Sequence, residues 1–226
     1  MKTKKLVIFG DSAFAEIAYE YFTHDSDYEV VAFTVTKDYL KKEILFGLPV
    51  VPFEDIQHAY PPEHFEMHVA LVYNTLNRVR AKFYNEAKLK GYRLANYVSS
   101  RAFVWHNVTV GDNVFIFEDN TVQPFVEIGS NVVLWSGNHI GHHSKIGSHN
   151  FISSHVVISG FCQIQDYCFM GVNSTVGNNI VIGKDSLIGS GALITKDVPK
   201  GSFVYGNRTL PADVSTYSKF GIDEMD

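Results

Sequence analysis

The sequence predicts an α/β module followed by an all-β parallel β-helix. Two observations carry this prediction. Strands and helices alternate over the first hundred residues, and a six-residue word that opens with an aliphatic side chain recurs without insertion from Val104 to Pro199. This period excludes an amphipathic helix, whose apolar residues recur every three or four positions. Three words form one triangular coil, so residues eighteen apart lie above one another at about 4.8 Å.

Three letters of the word are constrained. The openers are Val104, Val110, Ile116, Val122, Ile128, Leu134, Ile140, Ile146, Ile152, Ile158, Ile164, Met170, Val176, Ile182, Ile188 and Ile194. The second letter is often glycine, where we expect the backbone to turn without a Cβ. The fifth letter is small or Val, as an inward position requires. Cys162 and Cys168 occupy it, so we expect reduced core residues; a disulfide or metal site is the alternative.

The α/β module is predicted over residues 1–98, the β-helix over 99–199, and a closing loop and tail over 200–226. Strands are predicted at Lys5–Phe9, Tyr28–Val35, His68–Tyr73 and Tyr92–Val98, helices at Ala13–Phe22 and Asn77–Lys90, and loops around Gly47, Pro49 and Pro52. The alternation of strands and helices predicts a small parallel sheet, too small for a full dinucleotide-binding fold.

Composition narrows the function classes. The formal net charge is -5 and no basic run is present, which argues against nucleic acid or an anionic membrane surface as partner. No apolar stretch approaches the roughly 20 residues that span a bilayer. The start, MKTKKLVIFG, runs into a strand rather than a cleavage site, and we expect a cytoplasmic protein.

The turn after the first strand is a candidate ligand site. It reads GDSAFA over residues 10–15 and is predicted at the same carboxyl edge as the end of the second strand, where α/β sheets bind ligands. Free amides at a helix N-terminus favour a phosphate. The turn has a single glycine and carries the negative Asp11, so the alternative is that Asp11 or Ser12 only caps the helix.

Three histidines lie close together in NHIGHHSKIG, residues 138–147. In the six-residue register, His142 and His143 are third and fourth letters, which lie outside the apolar core. Gly160 is eighteen residues after His142 and is expected about 5 Å away. A general base beside a backbone amide donor is the minimum set for acyl transfer. A zinc site built from these histidines is the alternative.

The repeats and the segment IGSGALITKDVPKGSFVYGNRTLP, residues 188–211, resemble the left-handed β-helix acyltransferases. With its N-terminal module, the chain is similar to the sugar acetyltransferase family that includes sialic acid O-acetyltransferases and the UDP-4-amino-sugar N-acetyltransferase of bacillosamine synthesis. The string HIGHH also resembles the segment with the general base of UDP-N-acetylglucosamine O-acyltransferase.

The resemblance implies a left-handed β-helix and a homotrimer that uses acetyl-CoA, without a metal, to N-acetylate a nucleotide-linked amino sugar for surface glycans such as lipopolysaccharide. It implies His142 as general base and the Gly160 amide as donor to the thioester carbonyl. His143 stands where the family has an acidic residue. The implied coenzyme A contacts are Gly160, Gly171, Gly189, Gly191, Ala192, Lys196, Gly206 and Asn207. The expected substrate contacts are Gly10, Asp11, Ser12, Phe14, Thr34, Thr36, Asn138 and His139.

Three rival functions stay open on the sequence. Transfer to a sugar hydroxyl, as in sialic acid O-acetylation, keeps the chemistry and changes the acceptor. A hydroxyl nucleophile needs a base more than an amine does, so the missing acidic partner favours the amine. The other rivals are a non-catalytic β-helix scaffold and a trimeric zinc protein resembling the carbonic anhydrases of this architecture.

Overall fold

The computed structural model describes residues 2–206 and 211–223. The α/β module contains β1 (Lys4–Phe9), α1 (Ala13–His24), β2 (Tyr28–Val35), β3 (Ile44–Leu45), β4 (Leu48–Pro52), α2 (Ile56–Ala59), β5 (Glu66–Val69) and α3 (Arg78–Leu89). Short 3-10 turns span Lys37–Tyr39 and Phe53–Asp55. The strand order is β3-β4-β2-β1-β5, parallel except for the β3 and β4 pair. The predicted parallel sheet is therefore confirmed.

The stretch between β2 and α3 differs from the prediction in two places. The segment expected to be a loop forms β3 and β4, because residues 50–52 pair with Phe33–Val35 of β2. Its glycine and prolines are local turn signals and carry no information about this pairing. The third predicted strand, His68–Tyr73, is found as Glu66–Val69, since the chain leaves the sheet after Val69.

The predicted strand Tyr92–Val98 is largely wrong. Only Tyr97–Val98 is a strand, β6, and it pairs with Phe115–Ile116 rather than with the N-terminal sheet. Leu94 makes only an isolated bridge to Met67. The pairing partner of Tyr97 lies eighteen residues later, so the β-helix register already begins there, two residues before the predicted boundary.

The β-helix has three parallel faces. The first face contains β6, β9 (Phe115–Ile116), β12 (Val133–Leu134), β15 (Phe151–Ile152), β18 (Phe169–Met170), β21 (Leu187–Ile188) and β23 (Phe203–Val204). The second contains β7 (Phe103–Val104), β10 (Thr121–Val122), β13 (His139–Ile140), β16 (Val157–Ile158), β19 (Thr175–Val176) and β22 (Leu193–Ile194). The third contains β8 (Thr109–Val110), β11 (Glu127–Ile128), β14 (Lys145–Ile146), β17 (Gln163–Ile164) and β20 (Val181–Ile182). A short helix, α4 (Thr216–Phe220), follows.

The interior of the β-helix follows the six-residue word. The openers from Ile116 onward are buried in one continuous core, and the first two openers pack against it. Thr121 pairs with His139 and Val122 with Ile140, so the eighteen-residue register is confirmed. Cys162 and Cys168 are free and buried in the same core, and burial raises the pKa of the Cys168 thiol to about 11.

The turns lie at the fourth letter, and the expectation that the second-letter glycines make them is wrong. Along the stacked corners, fourth-letter residues have positive φ, for example 57° at Asn131, 58° at His143 and 60° at Phe161. The second-letter glycines serve close coil stacking instead. A Cβ on Gly141 would lie 2.5 Å from the carbonyl carbon of Ser159 in the next coil.

The α/β module packs on the first face and shares a core with it. The Phe14 ring of α1 lies 5.6 Å from both Phe115 and Trp135, and these rings belong to one buried cluster. From α3, the fully buried Arg80 guanidinium donates to the carbonyl oxygens of Asn131 and Asn150. Removal of the module would expose this aromatic face, so its function is best tested by point substitution.

None of the helices in the described ranges combines the length and apolar character that crossing a membrane requires.

A buried histidine lies at the centre of the shared core. The His68 ring is 1% exposed, and it lies 5.2 Å from the Phe22 ring and 5.4 Å from the Phe115 ring. Its Nδ1 lies 2.9 Å from the carbonyl oxygen of Ala95. Burial lowers the pKa of His68 to about 4, because the low-dielectric surroundings disfavour the charged ring.

This depressed pKa predicts acid lability. Between about pH 6.5 and pH 4 the unfolded state binds a proton that folded His68 does not, so stability present above pH 6.5 is lost as pH falls, by up to about 1.4 kcal/mol per pH unit. The free energy of unfolding of the His68→Phe variant, measured by denaturant titration, should fall less steeply over this range. Part of the dependence of the unfolding free energy on pH should remain in this variant, because the pKa of His149 is also lowered to about 4.

Substitution of the exposed His58 by Phe is the matched control and should keep the wild-type slope. A His68→Phe variant with the wild-type slope would contradict the account.

Candidate active site

His142 and His143 lie at the corner between the second and third faces, in the turn that joins β13 to β14. We call this pair of residues the histidine corner. Both side chains are exposed. His143 has a left-handed backbone conformation with φ 58°, which turns the chain from one face to the next. The histidines are therefore held on a rigid stack of coils rather than on a mobile loop.

Gly160 lies directly beside the His142 imidazole in the next coil, as the register predicts. The Phe161 amide donates to the His142 carbonyl oxygen at 3.0 Å, which fixes the two coils together at this corner. A Cβ on Gly160 would lie 2.9 Å from Cε1 and 3.0 Å from Nε2 of His142. The absence of a side chain at residue 160 therefore leaves the space that the imidazole occupies.

The Gly160 amide has a partner that sequence reasoning did not assign. It donates to Oδ1 of Asn178 at 3.0 Å. Asn178 is exposed and stands eighteen residues after Gly160, in the column through His142. The amide can donate to a ligand oxygen only when this side chain turns away. The column register was the signal for this contact.

His143 is stacked between two aromatic rings. Its ring lies 4.6 Å from Phe125 and 4.8 Å from Phe161, at interplanar angles of 29° and 18°. These rings occupy the same fourth-letter column, one coil before and one coil after. The His143 Nδ1 lies 3.1 Å from the His142 Nδ1. The backbone amide of His142 donates to Oε1 of Gln123 at 2.9 Å.

Of the two expected substrate contacts that precede this corner, one is wrong. Asn138 is 1% exposed; its Nδ2 donates to the Trp135 carbonyl, and its Oδ1 accepts from the Val156 amide at 2.7 Å. Both ends of the amide are used to join coils, so this side chain has none left for a ligand. His139 lies on the outer surface of the second face, paired with Thr121 and Val157.

The expected coenzyme A contacts lie along the later coils. Gly171 and Gly189 are second letters held tightly against the next coil, and the exposed Gly191 has φ 69°. Ala192 is 4% exposed, so its side chain fills the core and only its backbone can reach a ligand.

Two further contacts lie near the C-terminal end of the β-helix. Lys196 is exposed, and a Cβ on Gly206 would collide with the Ser190 carbonyl oxygen. Asn207 lies outside the described residues.

The turn after β1 places polar groups at the N-terminus of α1. The Gly10 amide donates to the Thr34 carbonyl at 2.8 Å. Ser12 is the N-cap residue of α1, yet its side chain makes no capping hydrogen bond. Lys42 donates to the Asp11 carbonyl oxygen at 3.2 Å and brings a positive charge beside this turn. The simple capping interpretation is therefore incomplete.

Two expected contacts in this module are wrong. Phe14 is 3% exposed because it packs on the first face of the β-helix. Thr34 is fully buried, and its hydroxyl donates to the Val51 carbonyl. Thr36 instead lines a cleft of about 460 Å³ with Asp38, Tyr39, Phe53, Glu54, Lys82, Phe83, Glu86 and Lys90.

The two candidate regions lie on opposite sides of one chain. The α/β module covers the first face, whereas the histidine corner joins the second and third faces. In a triangular prism this corner is the edge opposite the first face. A ligand held by the module of one chain is therefore remote from the histidines of the same chain.

Within residues 2–206 and 211–223, no three His, Cys, Asp or Glu side chains are grouped closely enough to hold a metal ion. The zinc alternative thus has no donor set in this part of a single chain.

Residues 125–160, which include the histidine corner, match the family model of the bacterial transferase hexapeptide (six repeats). None of the curated proteins matches the chain. The fold is similar to the acetyltransferase domain of PglB from Neisseria gonorrhoeae, with a TM-score of 0.81, 22% identity, and coverage of 93% of this chain and 100% of that one.

Two other solved structures are similar over nearly their whole length. PerB from Caulobacter crescentus, in complex with CoA and GDP-perosamine, has a TM-score of 0.77 and 22% identity, covering 88% of this chain and 92% of that one. WeeI from Acinetobacter baumannii has a TM-score of 0.69 and 22% identity, covering 90% of this chain and 97% of that one. The chain therefore has an N-terminal α/β module joined to a left-handed parallel β-helix, the fold of the PglB acetyltransferase domain, and its residues 125–160 match the bacterial transferase hexapeptide model.

Proposed function

We propose that this protein is an acetyl-CoA-dependent N-acetyltransferase that acts on a nucleotide-linked amino sugar. The observation that carries the proposal is the position of the His142 imidazole over Gly160, with Nε2 3.0 Å from where a Cβ of that glycine would stand. A base and a backbone amide donor are thereby adjacent. The fold is shared with PerB, whose structure holds CoA and GDP-perosamine.

The reaction follows from these two groups. The sugar amine attacks the thioester carbonyl carbon, the C–S bond breaks, and coenzyme A leaves as thiolate. Nε2 of His142 accepts the proton that the nitrogen loses and can return it to the departing sulfur. A positioned base of this kind contributes about 10² to 10⁴ in rate. The products are an N-acetylated sugar and free coenzyme A.

The amide of Gly160 is proposed to hold the oxyanion of the tetrahedral intermediate. In the free chain this amide donates to Asn178 at 3.0 Å, so arrival of the thioester must displace the Asn178 side chain. Because that side chain is exposed, its displacement costs little free energy. Asn178 then acts as a placeholder that satisfies the amide until the substrate arrives.

The α/β module is proposed to hold the nucleotide. The Ser12 hydroxyl, the first-turn amides of α1 and the Lys42 ammonium would hold the anion, as helix N-termini commonly do. Lys42 also lies 3.8 Å from Oε1 of Glu16, so the anion would share this ammonium with that carboxylate. The neighbouring cleft at Thr36 offers aromatic side chains and the carboxylate of Asp38, which suit a nucleoside base and a ribose hydroxyl. The nucleotide would therefore lie at the carboxyl edge of the sheet.

A homotrimer with shared sites is proposed because one chain keeps its two regions apart. The second face also exposes Phe103, Trp105, Val157 and Leu193, an apolar surface that a neighbouring copy would cover. Three-fold closure brings the histidine corner of one copy towards the module of the next. Acetylation would take place in the cytoplasm and supply amino sugars for surface glycans such as lipopolysaccharide.

Substitution of the base should abolish turnover without loss of coenzyme binding. His142→Ala is expected to lower kcat by about 100-fold or more with little change in the KM for acetyl-CoA, since a general base acts in the transition state. Thiol release from acetyl-CoA in the presence of a nucleotide-linked amino sugar measures both constants.

His106→Ala removes an exposed histidine two coils earlier in the same column and should leave kcat within about twofold, because it touches neither reactant. An active His142→Ala enzyme would show that another group is the base.

If Asn178 is only a placeholder, its substitution should have little effect on turnover, unlike substitution of His142. Asn178→Ala frees the Gly160 amide, so kcat should stay within about threefold of wild type, since the lost hydrogen bond is one that the substrate must displace. A fall of about 100-fold, the size seen for loss of an oxyanion donor, would instead identify the Asn178 side-chain amide as the donor.

A shared site predicts complementation between two impaired variants. Ser12→Trp should raise the KM for the acceptor while His142→Ala lowers kcat, because the exposed Ser12 lies at the nucleotide end of the site. Co-expressed at equal levels, the two chains should recover roughly a quarter of wild-type activity, since each site needs one intact residue from each of two neighbours.

His58→Trp, on an exposed surface of α2, is the control for the added ring. Mixed oligomers with no recovered activity, or a monomer in sedimentation, would contradict the shared site.

A further inference from the structure

We propose that His143 is a positioning residue, which accepts a hydrogen bond from Nδ1–H of His142 and so holds that ring with a free lone pair on Nε2. The inference rests on the proposed function for its catalytic consequence. Its structural basis is the 3.1 Å separation of the two Nδ1 atoms. A contact between two ring nitrogens requires one donor and one acceptor, so it ties the proton position of one ring to that of the other.

The direction of the bond follows from what lies at the other end of the His142 ring. Cε1 and Nε2 of His142 face Gly160, where a Cβ would come within 2.9 to 3.0 Å. A base that takes a proton at this point needs an unprotonated Nε2, so the ring proton must be on Nδ1. A neutral imidazole carries one N–H, and an acceptor at Nδ1 selects that tautomer.

His143 can serve as a fixed acceptor because its ring cannot rotate freely. It is stacked between Phe125 at 4.6 Å and Phe161 at 4.8 Å. The Phe161 ring also meets the His142 ring edge to face, with centroids 5.0 Å apart. Phe161 therefore helps to fix the acceptor and also limits the rotation of the base.

No other described side chain is bonded to Nδ1 of His142. Gln123 is engaged with the backbone amide of this residue, and Asn178 is engaged with the Gly160 amide. An imidazole thus occupies the place where a carboxylate orients the base in a Ser-His-Asp triad. The histidine corner places no carboxylate charge beside the thioester.

Two substitutions at residue 143 separate the loss of the hydrogen-bond acceptor from the loss of the stacked ring. His143→Phe keeps a ring between Phe125 and Phe161 but removes the acceptor. His143→Asn removes the ring and keeps an acceptor, because Oδ1 of Asn is attached to Cγ as Nδ1 of His is. Asn also tolerates the left-handed φ of 58° at this residue. Thermal melting of both variants checks that the coils remain folded.

The tautomer is measured first, on the full chain without substrates. Long-range ¹H–¹⁵N spectra are recorded at about pH 8, where ordinary imidazoles are neutral, and His142 is assigned by comparison with His142→Ala. We expect the proton on Nδ1 in the wild type and in His143→Asn, and on Nε2 in His143→Phe. A wild-type His142 protonated at Nε2, or an unchanged Nδ1–H in His143→Phe, would overturn the proposal.

Kinetics then test the consequence. His143→Phe should lower kcat by about 10- to 10³-fold, which is less than the loss caused by a wrong tautomer in a buried triad. The KM for acetyl-CoA should stay within about twofold of the wild-type value. His143→Asn should recover most of kcat. Equal losses in both variants would overturn the proposal, since they would assign the effect to stacking.

The proposed function and the proposed role of His143 can be contradicted independently. If no nucleotide-linked amino sugar is acetylated by the wild type, the proposed function is wrong, while the spectra still decide whether His143 sets the tautomer of His142.

Discussion

The eighteen-residue register of the parallel coils is the constraint on which the rest of the structure depends. It aligns Thr121 with His139 and Val157 on one face, and it repeats the left-handed turn at each successive corner from Asn113 to Gly191. Because each corner is repeated coil after coil, residues far apart in sequence form columns with fixed spacing. His142, Gly160 and Asn178 form one such column at the histidine corner, without any contribution from a mobile loop.

The α/β module leads directly into the β-helix and packs against its first face. Tyr97 pairs with Phe115 one coil later, and the outward aromatic residues of the first face form a common core with α1. Arg80 is buried, and no acidic side chain in the described ranges is paired with it; its guanidinium donates to oxygens of Asn131 and Asn150. Such a cation is retained only where its hydrogen bonds are met, so the module is held in one orientation on the first face.

The sequence predicted the inward letters and the column through His142, because both follow from periodicity alone. It did not predict that both ends of the Asn138 amide would be hydrogen-bonded within the β-helix. Nor did it predict that Asn178 would accept a hydrogen bond from the Gly160 amide, or that Phe14 would be buried. These outcomes depend on which polar groups lose water when coils and module meet, and periodicity carries no information about that. The strand at residues 48–52 was missed for a similar reason, since its partner is distant in sequence.

The central claim is that acetyl groups pass from acetyl-CoA to an amine on a nucleotide-linked sugar. The most direct measurement is thiol release with a panel of UDP-, dTDP- and GDP-linked amino sugars, each paired with its hydroxyl analogue, with the product mass determined. The account predicts stoichiometric thiol release and a single added acetyl group with at least one amino sugar, and none with its hydroxyl counterpart. Acetylation of the hydroxyl analogue alone, or no release with any member of the panel, would contradict it.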